Sequence, residues 1–233
     1  MTIVRDVTAL AAMRARFRED GFVALGSLLT PPARRRVDAE ASALLARHAQ
    51  RRDLRIAVTG GSARRYAIAS RADIATDGVL VPAAYRSRAL ARVLGAIAGE
   101  PIVPVPHLPE EFIATRMEHP GDEHGWHWDD YRYALVWIVR APAAGAGGEV
   151  ELVPDTRWDK RDPRVAEQLR GRTPSRFAPV SDSAYFLRAD TTLHRVAPLL
   201  RDTVREVVTF SYTTPAEVTR AVTHETLDAI LVG

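Results

Sequence analysis

The sequence contains no cysteine, and that absence excludes several kinds of chemistry at once. A chain without thiols forms no disulfide, binds no metal through thiolate, carries no iron–sulfur cluster and has no cysteine nucleophile. Cysteine usage therefore does not indicate whether the protein works in a reducing or an oxidising compartment. Any metal site in this chain has to be built from other side chains.

Long apolar runs are also missing. No uninterrupted apolar stretch approaches the roughly 20 residues that a membrane-spanning helix needs. The first residues mix charged with apolar side chains, which is unlike a secretory signal. We therefore expect a cytoplasmic protein that does not bind membranes.

Lysine is almost absent as well, since Lys160 is the only one among 32 basic residues. An isoelectric point of about 9.6 suggests a nucleic-acid partner, but the net charge is only +3. Acidic residues alternate with the arginines along most of the chain, which is typical of solvated surfaces with local ion pairs. The densest basic stretch, residues 47–55, lacks the interleaved aromatic side chains of a single-strand binding platform. We expect no nucleic-acid partner.

The chain is long enough to form one domain with a substantial core. We predict a single domain over residues 1–233, made of a helical N-terminal part (1–100), a jelly-roll core (101–215) and a C-terminal extension (216–233). Phe22-Val-Ala-Leu is a candidate for a short strand, whereas residues 56–81 show no regular spacing and are predicted to be irregular. Apolar side chains at helical spacing predict helices over residues 8–19, 30–52 and 82–97.

Short β-rich runs follow one another after residue 101, between clusters of Gly, Pro and Asp. Many short strands with turns favour a sandwich or a barrel. The predicted fold is α+β with a mainly β core, a double-stranded β-helix (jelly roll, cupin-like) with N-terminal helices packed on it. Residues 154–179 are predicted to form a long loop over the barrel mouth. The predicted strands are residues 112–117, 133–139, 149–153, 185–187 and 204–212.

The densest group of metal-ligating side chains lies directly before the predicted strand at residues 133–139. On an extended segment, positions i and i+2 point to the same side, so His127 and Asp129 can bind one cation together. A second histidine from a distant strand would complete a 2-His-1-carboxylate triad, which leaves open positions for a bidentate acid and dioxygen. The alternative is a polar turn ahead of a strand. A chain of this length and composition is expected to contain roughly half a His-x-Asp pair by chance, so the pair alone is a weak signal.

A second motif strengthens the metal prediction. His194 follows a strand-like run, and Arg205 lies eleven positions further on, at the start of the next predicted strand. A strand arginine near the metal can pair in bidentate fashion with the C5 carboxylate of 2-oxoglutarate. The alternative is a surface ion pair of Arg205 with Glu206 or Asp202. The predicted metal ligands, which are also the catalytic residues, are His127, Asp129 and His194.

Trp137 lies in the apolar run that follows the ligand cluster. We assign it, together with Arg205, to the binding site of the cofactor. The alternative is a core position, which is the commoner use of tryptophan.

The pattern His-x-Asp, then His-x10-Arg, resembles the Fe(II)/2-oxoglutarate-dependent oxygenases over about residues 112–213. More narrowly, HGWHWDDYRYALVWI, FLRADTTLHRVAPL and VREVVTFSY resemble the group that contains the free-amino-acid (lysine) halogenases. In those halogenases a glycine stands at the carboxylate position, and chloride fills the vacated iron site. Asp129 stands there in this chain, so the resemblance implies a hydroxylase.

The same resemblance implies a set of substrate-binding residues. Arg64 or Arg65 would clamp the α-carboxylate, with His124 beside it. Glu110 and Asp130 fall where lysine-specific members hold the side-chain ammonium; from the residues alone, both could equally be solvent or turn positions. Hydroxyl side chains that alternate with Arg205 on one strand face would line the cavity if Arg205 does. They are Thr209 and Ser211.

The resemblance implies Fe(II), 2-oxoglutarate and O2 as cofactors and co-substrates. The expected reaction is hydroxylation of an unactivated C–H bond of a small free amino acid, with a basic, lysine-like side chain as one option. The aromatic residues that close the pocket in those relatives have no match at residues 227–229, which leaves lysine itself open. Desaturation or cyclisation of an amino acid or another small metabolite is an alternative, and a non-redox cupin-like metal-binding protein is another. We expect a monomer or a homodimer.

Overall fold

A computed structural model describes residues 7–232. The first six residues, part of the segment whose charge pattern is unlike a secretory signal, and Gly233 lie outside the described residues. Among the described residues, no helix combines the length and the apolar character needed to cross a membrane. The helices are α1 (Val7–Asp20), α2 (Pro31–His48), α3 (Arg71–Asp77), α4 (Leu80–Tyr85), α5 (Arg88–Ala98), α6 (Val165–Leu169) and α7 (Glu225–Val232).

All paired strands of the described chain belong to one curled antiparallel sheet. The order along the sheet is β1-β10-β7-β12-β5-β3-β6-β11-β8-β9, with β2 paired to β3 and β4 paired to β12. The strands are β1 (Phe22–Leu25), β2 (Gln50–Ile56), β3 (Ser62–Ala69), β4 (Val103–Pro104), β5 (Phe112–Met117), β6 (Glu123–His127), β7 (Tyr133–Arg140), β8 (Val150–Val153), β9 (Ser175–Phe177), β10 (Ala184–Arg188), β11 (Leu193–Val196) and β12 (Arg205–Thr213).

The two faces of the sheet have different partners. One face of β7, β10 and β12 packs with the N-terminal helices in the largest hydrophobic cluster, which includes Phe17, Leu45 and Leu94. The opposite face of β7 contributes to a second cluster inside the curl, with Val136 and Ile138. β7 is therefore buried on both faces, and the curl of the sheet leaves a cavity on the side away from the helices.

The predicted fold is confirmed: a mainly β jelly-roll core carries helices on one face. The strand prediction at residues 112–117 coincides with β5, and those at 133–139 and 204–212 differ from β7 and β12 by a single residue at one or both ends. Clusters of Gly, Pro and Asp separate the β-rich runs in this half of the chain, so the sequence indicates where the strands end.

The N-terminal part differs from its prediction in two of its three strands. β1 coincides with the strand candidate at residues 22–25, but β2 and β3 also join the sheet there. Residues 56–81, expected to be irregular, contain β3 and α3, and the helix expected over 30–52 ends at His48, where the chain turns into β2. The helix expected over 82–97 is interrupted after Tyr85. Ser87 starts a new helix there, because its side-chain oxygen accepts a hydrogen bond from the backbone N–H of Leu90.

The segment predicted as a long loop, residues 154–179, contains α6 and β9. It reaches across to the N-terminal part, since the indole N–H of Trp158 donates to the carbonyl of Val58 at 2.7 Å. The stretch before α6 also approaches the cavity, where the Lys160 ammonium lies beside Asp130. The segment thus borders one side of the site.

Candidate metal centre and active-site cavity

Two neighbouring strands bring the predicted metal ligands together. His127 ends β6, and its register partner on β11 is His194. Asp129 lies two residues beyond β6, in the turn that leads to β7. Its Oδ1 atom is 3.6 Å from Nε2 of His127 and 3.7 Å from Nε2 of His194. Two ring nitrogens and one carboxylate oxygen therefore converge on a single point.

Hydrogen bonds fix which ring nitrogen each histidine offers. Nδ1–H of His127 donates to the Gly125 carbonyl at 2.8 Å, and Nδ1–H of His194 donates to the Thr192 carbonyl at 2.8 Å. A carbonyl only accepts, so each ring carries its hydrogen on Nδ1 and presents a bare Nε2. The two rings are tilted by 50°, so their planes intersect and one ion can lie in both.

A second group of potential ligands lies near the cavity, namely His107, Glu110 and His224. The rings of His107 and His224 are stacked face to face, with centroids 3.6 Å apart and planes 6° from parallel. An imidazole binds a metal along its lone pair, which lies in the ring plane. Planes that are nearly parallel and stacked do not meet at a bonding distance, so this group is arranged for stacking and not for holding one ion.

Burial tunes the ionisable groups of the metal cluster. It lowers the pKa of His127 well below its ordinary value and lowers that of His194 to about 4, so both rings are neutral at pH 7. Burial, with the neighbouring Asp130 carboxylate, raises the pKa of Asp129 to about 7. Two neutral imidazoles and a carboxylate without a cation partner form a set of ligands that would bind a divalent cation.

Gly125 lets β6 approach β3 closely enough to position His127. A Cβ atom at this position would lie 2.9 Å from the backbone nitrogen of Ala63 and 3.0 Å from its carbonyl oxygen. Backbone atoms cannot swing away as a flexible side chain can. The missing side chain of Gly125 is therefore a structural requirement of the metal site.

We expect Gly125→Ala to lower the free energy of unfolding by about 1–3 kcal/mol and to weaken metal binding, because β6 must move away from β3. Urea unfolding and an Fe(II) titration measure the two effects. Gly26→Ala is the matched control, since a Cβ there meets no atom within 4 Å. Equal effects of the two substitutions would contradict the close-approach explanation.

Arg205 begins β12 and is buried in the cavity wall. Its Nε and Nη2 atoms have no hydrogen-bond partner in the described structure. The Tyr185 hydroxyl is its polar neighbour, and it partly offsets the lowering of the Arg205 pKa by burial. A buried guanidinium without a carboxylate lacks its natural partner. It fits the distal carboxylate of a small diacid. The alternative of a surface ion pair with Glu206 is not formed, since Glu206 accepts a hydrogen bond from Arg116.

The fold distinguishes between Arg64 and Arg65. Alternation along β3 turns Arg64 inward, where it is fully buried, and Arg65 outward, where it pairs with Asp53 and Glu123. Arg64 donates to Ser62, Ala63 and Thr59, and its Nε is buried without a partner. Arg64 is the register partner of His124 on β6, so it lies behind the cavity wall near the metal cluster. The structure does not bring Arg65 to the site.

Trp137 does not lie in the cavity, which corrects its assignment to the cofactor. Its indole N–H donates to Asp38 on α2 at 2.8 Å, and the Arg34 guanidinium lies 4.1 Å above its ring. It belongs to the cluster between the sheet and the helices. The residues of β7 that do face the cavity are Ala134 and Val136.

The remaining predicted residues line the cavity. His124 stacks on the ring of His127 with centroids 3.8 Å apart, and burial lowers its pKa well below the ordinary value. Glu110 accepts a hydrogen bond from Nδ1–H of His224 at 2.6 Å. Asp130 forms an ion pair with Lys160, whose Nζ is 2.5 Å from its Oδ1. On β12, every second residue faces the cavity, and these are Arg205, Val207, Thr209 and Ser211.

Several cavity residues were not predicted from the sequence. Tyr66 on β3 has a fully buried hydroxyl without a partner, 5.0 Å ring to ring from His124. Tyr185 on β10 adjoins Arg205. Leu227 and Ile230 on α7 close the cavity on the side of the C-terminal segment. Only the placement of α7 over the sheet reveals these contacts, because nothing in its sequence marks a site.

Burial raises the pKa of Glu110 to about 9, with the carboxylates of Asp130 and Asp129 adding to the effect. A folded-state pKa above the ordinary 4.5 means that stability is fully present below about pH 4.5 and is lost as the pH rises towards 9. We therefore expect the metal-free Glu110→Gln variant to gain stability over the wild type between pH 5 and pH 8, by an amount of the order of 1 kcal/mol or more.

Urea unfolding of the metal-free proteins at both pH values measures this gain. Glu118→Gln, which removes a carboxyl that is 42% exposed, is the control and should show no such trend. A constant difference between Glu110→Gln and the wild type at the two pH values would show that Glu110 is ionised in the folded protein.

Comparisons with known proteins agree with this geometry. A family profile described as Halogenase D matches residues 5–232. Among solved structures, the non-heme alpha ketoglutarate dependent epimerase SnoN from nogalamycin biosynthesis aligns with a TM-score of 0.66 and 18% identity, over 90% of this chain and 84% of the other. A search of curated protein sequences found no significant match.

Two bacterial structures align over most of their length as well. An oxidoreductase of the 2OG-Fe(II) oxygenase family from Burkholderia pseudomallei has a TM-score of 0.61 and 18% identity, over 91% of this chain and 93% of the other. A Pseudomonas putida prolyl-4-hydroxylase has a TM-score of 0.56 and 15% identity, over 87% and 98%. At these identities the likeness concerns the fold, which is that of the 2-oxoglutarate oxygenases.

Proposed function

The chain belongs to the Halogenase D family, and we propose that it is an Fe(II)- and 2-oxoglutarate-dependent hydroxylase of a small free amino acid. The predicted enzyme class and cofactors agree with the described activities of its structural neighbours. The observation that carries the proposal is the convergence of Asp129 with the bare Nε2 atoms of His127 and His194, beside a buried Arg205 that has no carboxylate partner.

The donor set fits iron. Two neutral imidazoles and one carboxylate form a facial triad, and the cavity side of the cluster stays open for other ligands. When bound, Fe(II) with 2-oxoglutarate and O2 supplies the oxidising power for an unactivated C–H bond. The protein's own contribution is to position the reactants and to exclude water. Trp128, Val153 and Leu193 form an apolar cluster next to the ligands and serve the second purpose.

Asp129 supports hydroxylation over halogenation. Its carboxylate lies within 3.7 Å of both imidazole nitrogens and would occupy the metal position that a halide needs. The halogenases that this sequence resembles have a glycine there. A member that retains the carboxylate keeps the ligand set of a hydroxylase.

Arg205 and Tyr185 would hold 2-oxoglutarate. The guanidinium offers unpartnered Nε and Nη2 donors, and the tyrosine hydroxyl lies beside it as a further donor. Val136 and Val207, on adjacent strands, line the apolar part of the same wall. A diacid bound here would direct its other end towards the cluster of ligands.

The substrate would occupy the rest of the cavity. The guanidinium of Arg64, which lies behind the cavity wall, would compensate the charge of an α-carboxylate, and His124 and the hydroxyl of Tyr66, which line the cavity, would donate hydrogen bonds to it. Thr209 and Ser211 would offer hydroxyl groups from β12. Glu110 and Asp130, which also line the cavity, would adjoin the substrate side chain.

An anaerobic titration tests the proposal. Fe(II) plus 2-oxoglutarate should produce a weak metal-to-ligand visible band, and succinate should then form with one or more members of a panel of free amino acids in air. Iron binding without this band would favour the alternative of a non-redox cupin-like protein. Turnover only with peptidyl or carrier-bound substrates would contradict the free amino acid.

Product analysis separates the remaining alternatives. Hydroxylation adds one oxygen atom to the substrate, whereas desaturation or ring closure removes two hydrogen atoms. Mass spectrometry of the product distinguishes these outcomes directly. One structural neighbour is described as an epimerase, so the same fold also serves other outcomes.

We expect Arg205→Met to raise the KM for 2-oxoglutarate by about 30- to 1000-fold, because a buried carboxylate then loses its paired cation. The iron affinity should change little, since Arg205 is not a ligand. Arg201→Met, an exposed arginine of the preceding turn, is the control of equal charge. An unchanged KM for Arg205→Met would remove Arg205 from the 2-oxoglutarate site.

A further inference from the structure

The only lysine of the chain is bound to a carboxylate of the cavity wall. Nζ of Lys160 lies 2.5 Å from Oδ1 of Asp130, whose side chain is 4% exposed. The same ammonium lies 2.9 Å from Glu225 and 3.1 Å from the Thr223 hydroxyl. It also lies 4.7 Å from the centroid of the Trp158 ring.

The ammonium of Lys160 has no free donor. An ammonium group has three hydrogens, and its hydrogen bonds go to the carboxylate of Glu225 and to the hydroxyl and carbonyl oxygens of Thr223. The Asp130 carboxylate is its ion-pair partner on the cavity side, and Oδ1 of Asp130 has no hydrogen-bond partner in the described structure. Asp130 lies in the segment after β6, Thr223 and Glu225 lie just before and at the start of α7, and Lys160 itself comes from the segment before α6. Arg220 fixes the backbone of Asp130 by donating to its carbonyl at 2.9 Å. Contacts of Lys160 with Thr223 and Glu225, and of the Asp130 backbone with Arg220, therefore hold both members of the ion pair in place.

Asp130 separates two spaces. It lines the cavity that contains the metal cluster, and it also lines the adjoining depression in which Lys160 lies. The other carboxylate of the cavity apart from the ligand Asp129 is Glu110, which is bonded to His224. Burial keeps Glu110 protonated near pH 7 in the ligand-free protein, since its pKa is about 9. Among the described residues that line the cavity, no carboxylate other than the proposed metal ligand Asp129 is then free to pair with a substrate side chain.

We propose that Lys160 determines substrate specificity by occupying Asp130 as an internal counter-ion, so that the enzyme accepts amino acids with uncharged side chains and discriminates against basic ones. The proposal rests on the proposed function, because it concerns the side chain of an amino acid substrate. A free ammonium would have to displace one that the chain itself holds at high effective concentration, and it would gain no new ion pair by doing so.

Norleucine and lysine form a matched ligand pair, since they differ only in the terminal ammonium group. Binding is measured anaerobically on the enzyme loaded with Fe(II) and 2-oxoglutarate, through the shift of the visible band and by calorimetry. We expect the wild type to bind norleucine at least about tenfold more tightly than lysine, because one unsatisfied buried charge costs more than about 1.4 kcal/mol. Succinate release should follow the same order.

Lys160→Met leaves Asp130 without its cation. We expect the ratio of the two dissociation constants to move at least about tenfold towards lysine, since the substrate ammonium then becomes the partner of Asp130. Arg161→Met is the matched control, because it removes one positive charge from the adjacent, exposed position without touching the pair. Preference of the wild type for lysine, or an unchanged ratio in Lys160→Met, would overturn the proposal.

A chemical measurement covers the case in which Lys160→Met does not fold. Because Lys160 is the only side-chain amine, acetylation at this residue is read by mass spectrometry without interference from other lysines. The wild type should react several-fold more slowly than Asp130→Asn, which removes the ion-pair partner on the cavity side and leaves the contacts with Thr223 and Glu225. Reaction of the wild type as fast as an exposed lysine in an unstructured peptide would show that the pair does not form, and the proposal would fail.

The outcomes distinguish this proposal from the one on which it rests. Binding of lysine as tight as that of norleucine contradicts the role of Lys160 but leaves an amino acid hydroxylase. A normal visible band with 2-oxoglutarate, but no binding of any free amino acid, overturns the substrate class and the specificity proposal together. Loss of the band itself points to the metal site.

Discussion

Replacing His194 with alanine is expected to abolish turnover, with succinate formation falling by about a thousandfold or more, because the triad loses one of three protein ligands. The visible band of the Fe(II)–2-oxoglutarate complex should disappear at iron concentrations that saturate the wild type. His194 is buried and its Nδ1 is tied to the Thr192 carbonyl, so no other described histidine can take its place without rearranging β11.

The control for this experiment is His119→Ala, because the His119 side chain is 63% exposed and makes only a distant contact with Glu118. It should retain the band and the activity of the wild type. Near-UV circular dichroism verifies that both variants fold. If the His194 variant keeps an iron-dependent band of normal intensity, His194 is not a ligand and the metal centre must be sought elsewhere.

Replacing Asp129 with glycine should lower hydroxylation by about a hundredfold or more, because the only carboxylate ligand is lost. Iron should still bind weakly through the two histidines. The vacated position would be open to an anion, so chloride or bromide should shift the visible band of the variant while leaving that of the wild type unchanged. Titration of each halide into the anaerobic complex measures the shift.

Asp129→Asn separates the two effects of the glycine substitution. The amide has nearly the shape of the carboxylate but lacks its negative charge, so hydroxylation should fall while the position remains filled. Its band should therefore be insensitive to halide. Hydroxylation by Asp129→Gly at the wild-type rate would contradict the assignment of Asp129 as a ligand, and a halide response of Asp129→Asn would contradict the steric explanation.

Part of the candidate triad could be proposed from the sequence because two of its members are close together in the chain. His127 and Asp129 lie two positions apart, at the end of β6 and just beyond it, and the structure brings both to one side. His194 and Arg205 followed from the order of motifs along the chain. In the structure, the pairing of β6 with β11 places His127 opposite His194. The sequence alone does not show this register.

The error at Trp137 has a physical cause. β7 is buried on both faces over most of its length, so residues 133–139 are all apolar or aromatic and no alternation shows which of them face the cavity. If one face of β7 had been polar, the alternation of apolar and polar residues would have shown which face Trp137 occupies. The choice between Arg64 and Arg65 stayed open for a related reason, because the sequence does not show which of two adjacent arginines faces inward until the register of β3 is known.

In the N-terminal part, β2 was missed because its composition is misleading. β2 contains three arginines and follows directly on a helix, so residues 50–52 look like a continuation of that helix. Pairing with β3 along its whole length makes this segment a strand. Local helix propensity does not reveal such pairing, because it depends on contacts with another strand. Lys160 was likewise visible in the sequence, but only folding shows that it reaches Asp130.

The pairing of β6 with β11 has a consequence for assembly. The two histidine ligands face each other across strands that are more than sixty residues apart along the chain, and the register is irregular immediately beyond them. A slip of one residue would turn His194 to the opposite face. A metal ion held by both histidines would therefore bind only the correctly aligned pair and would stabilise that alignment over shifted ones, so it would favour one strand register during folding.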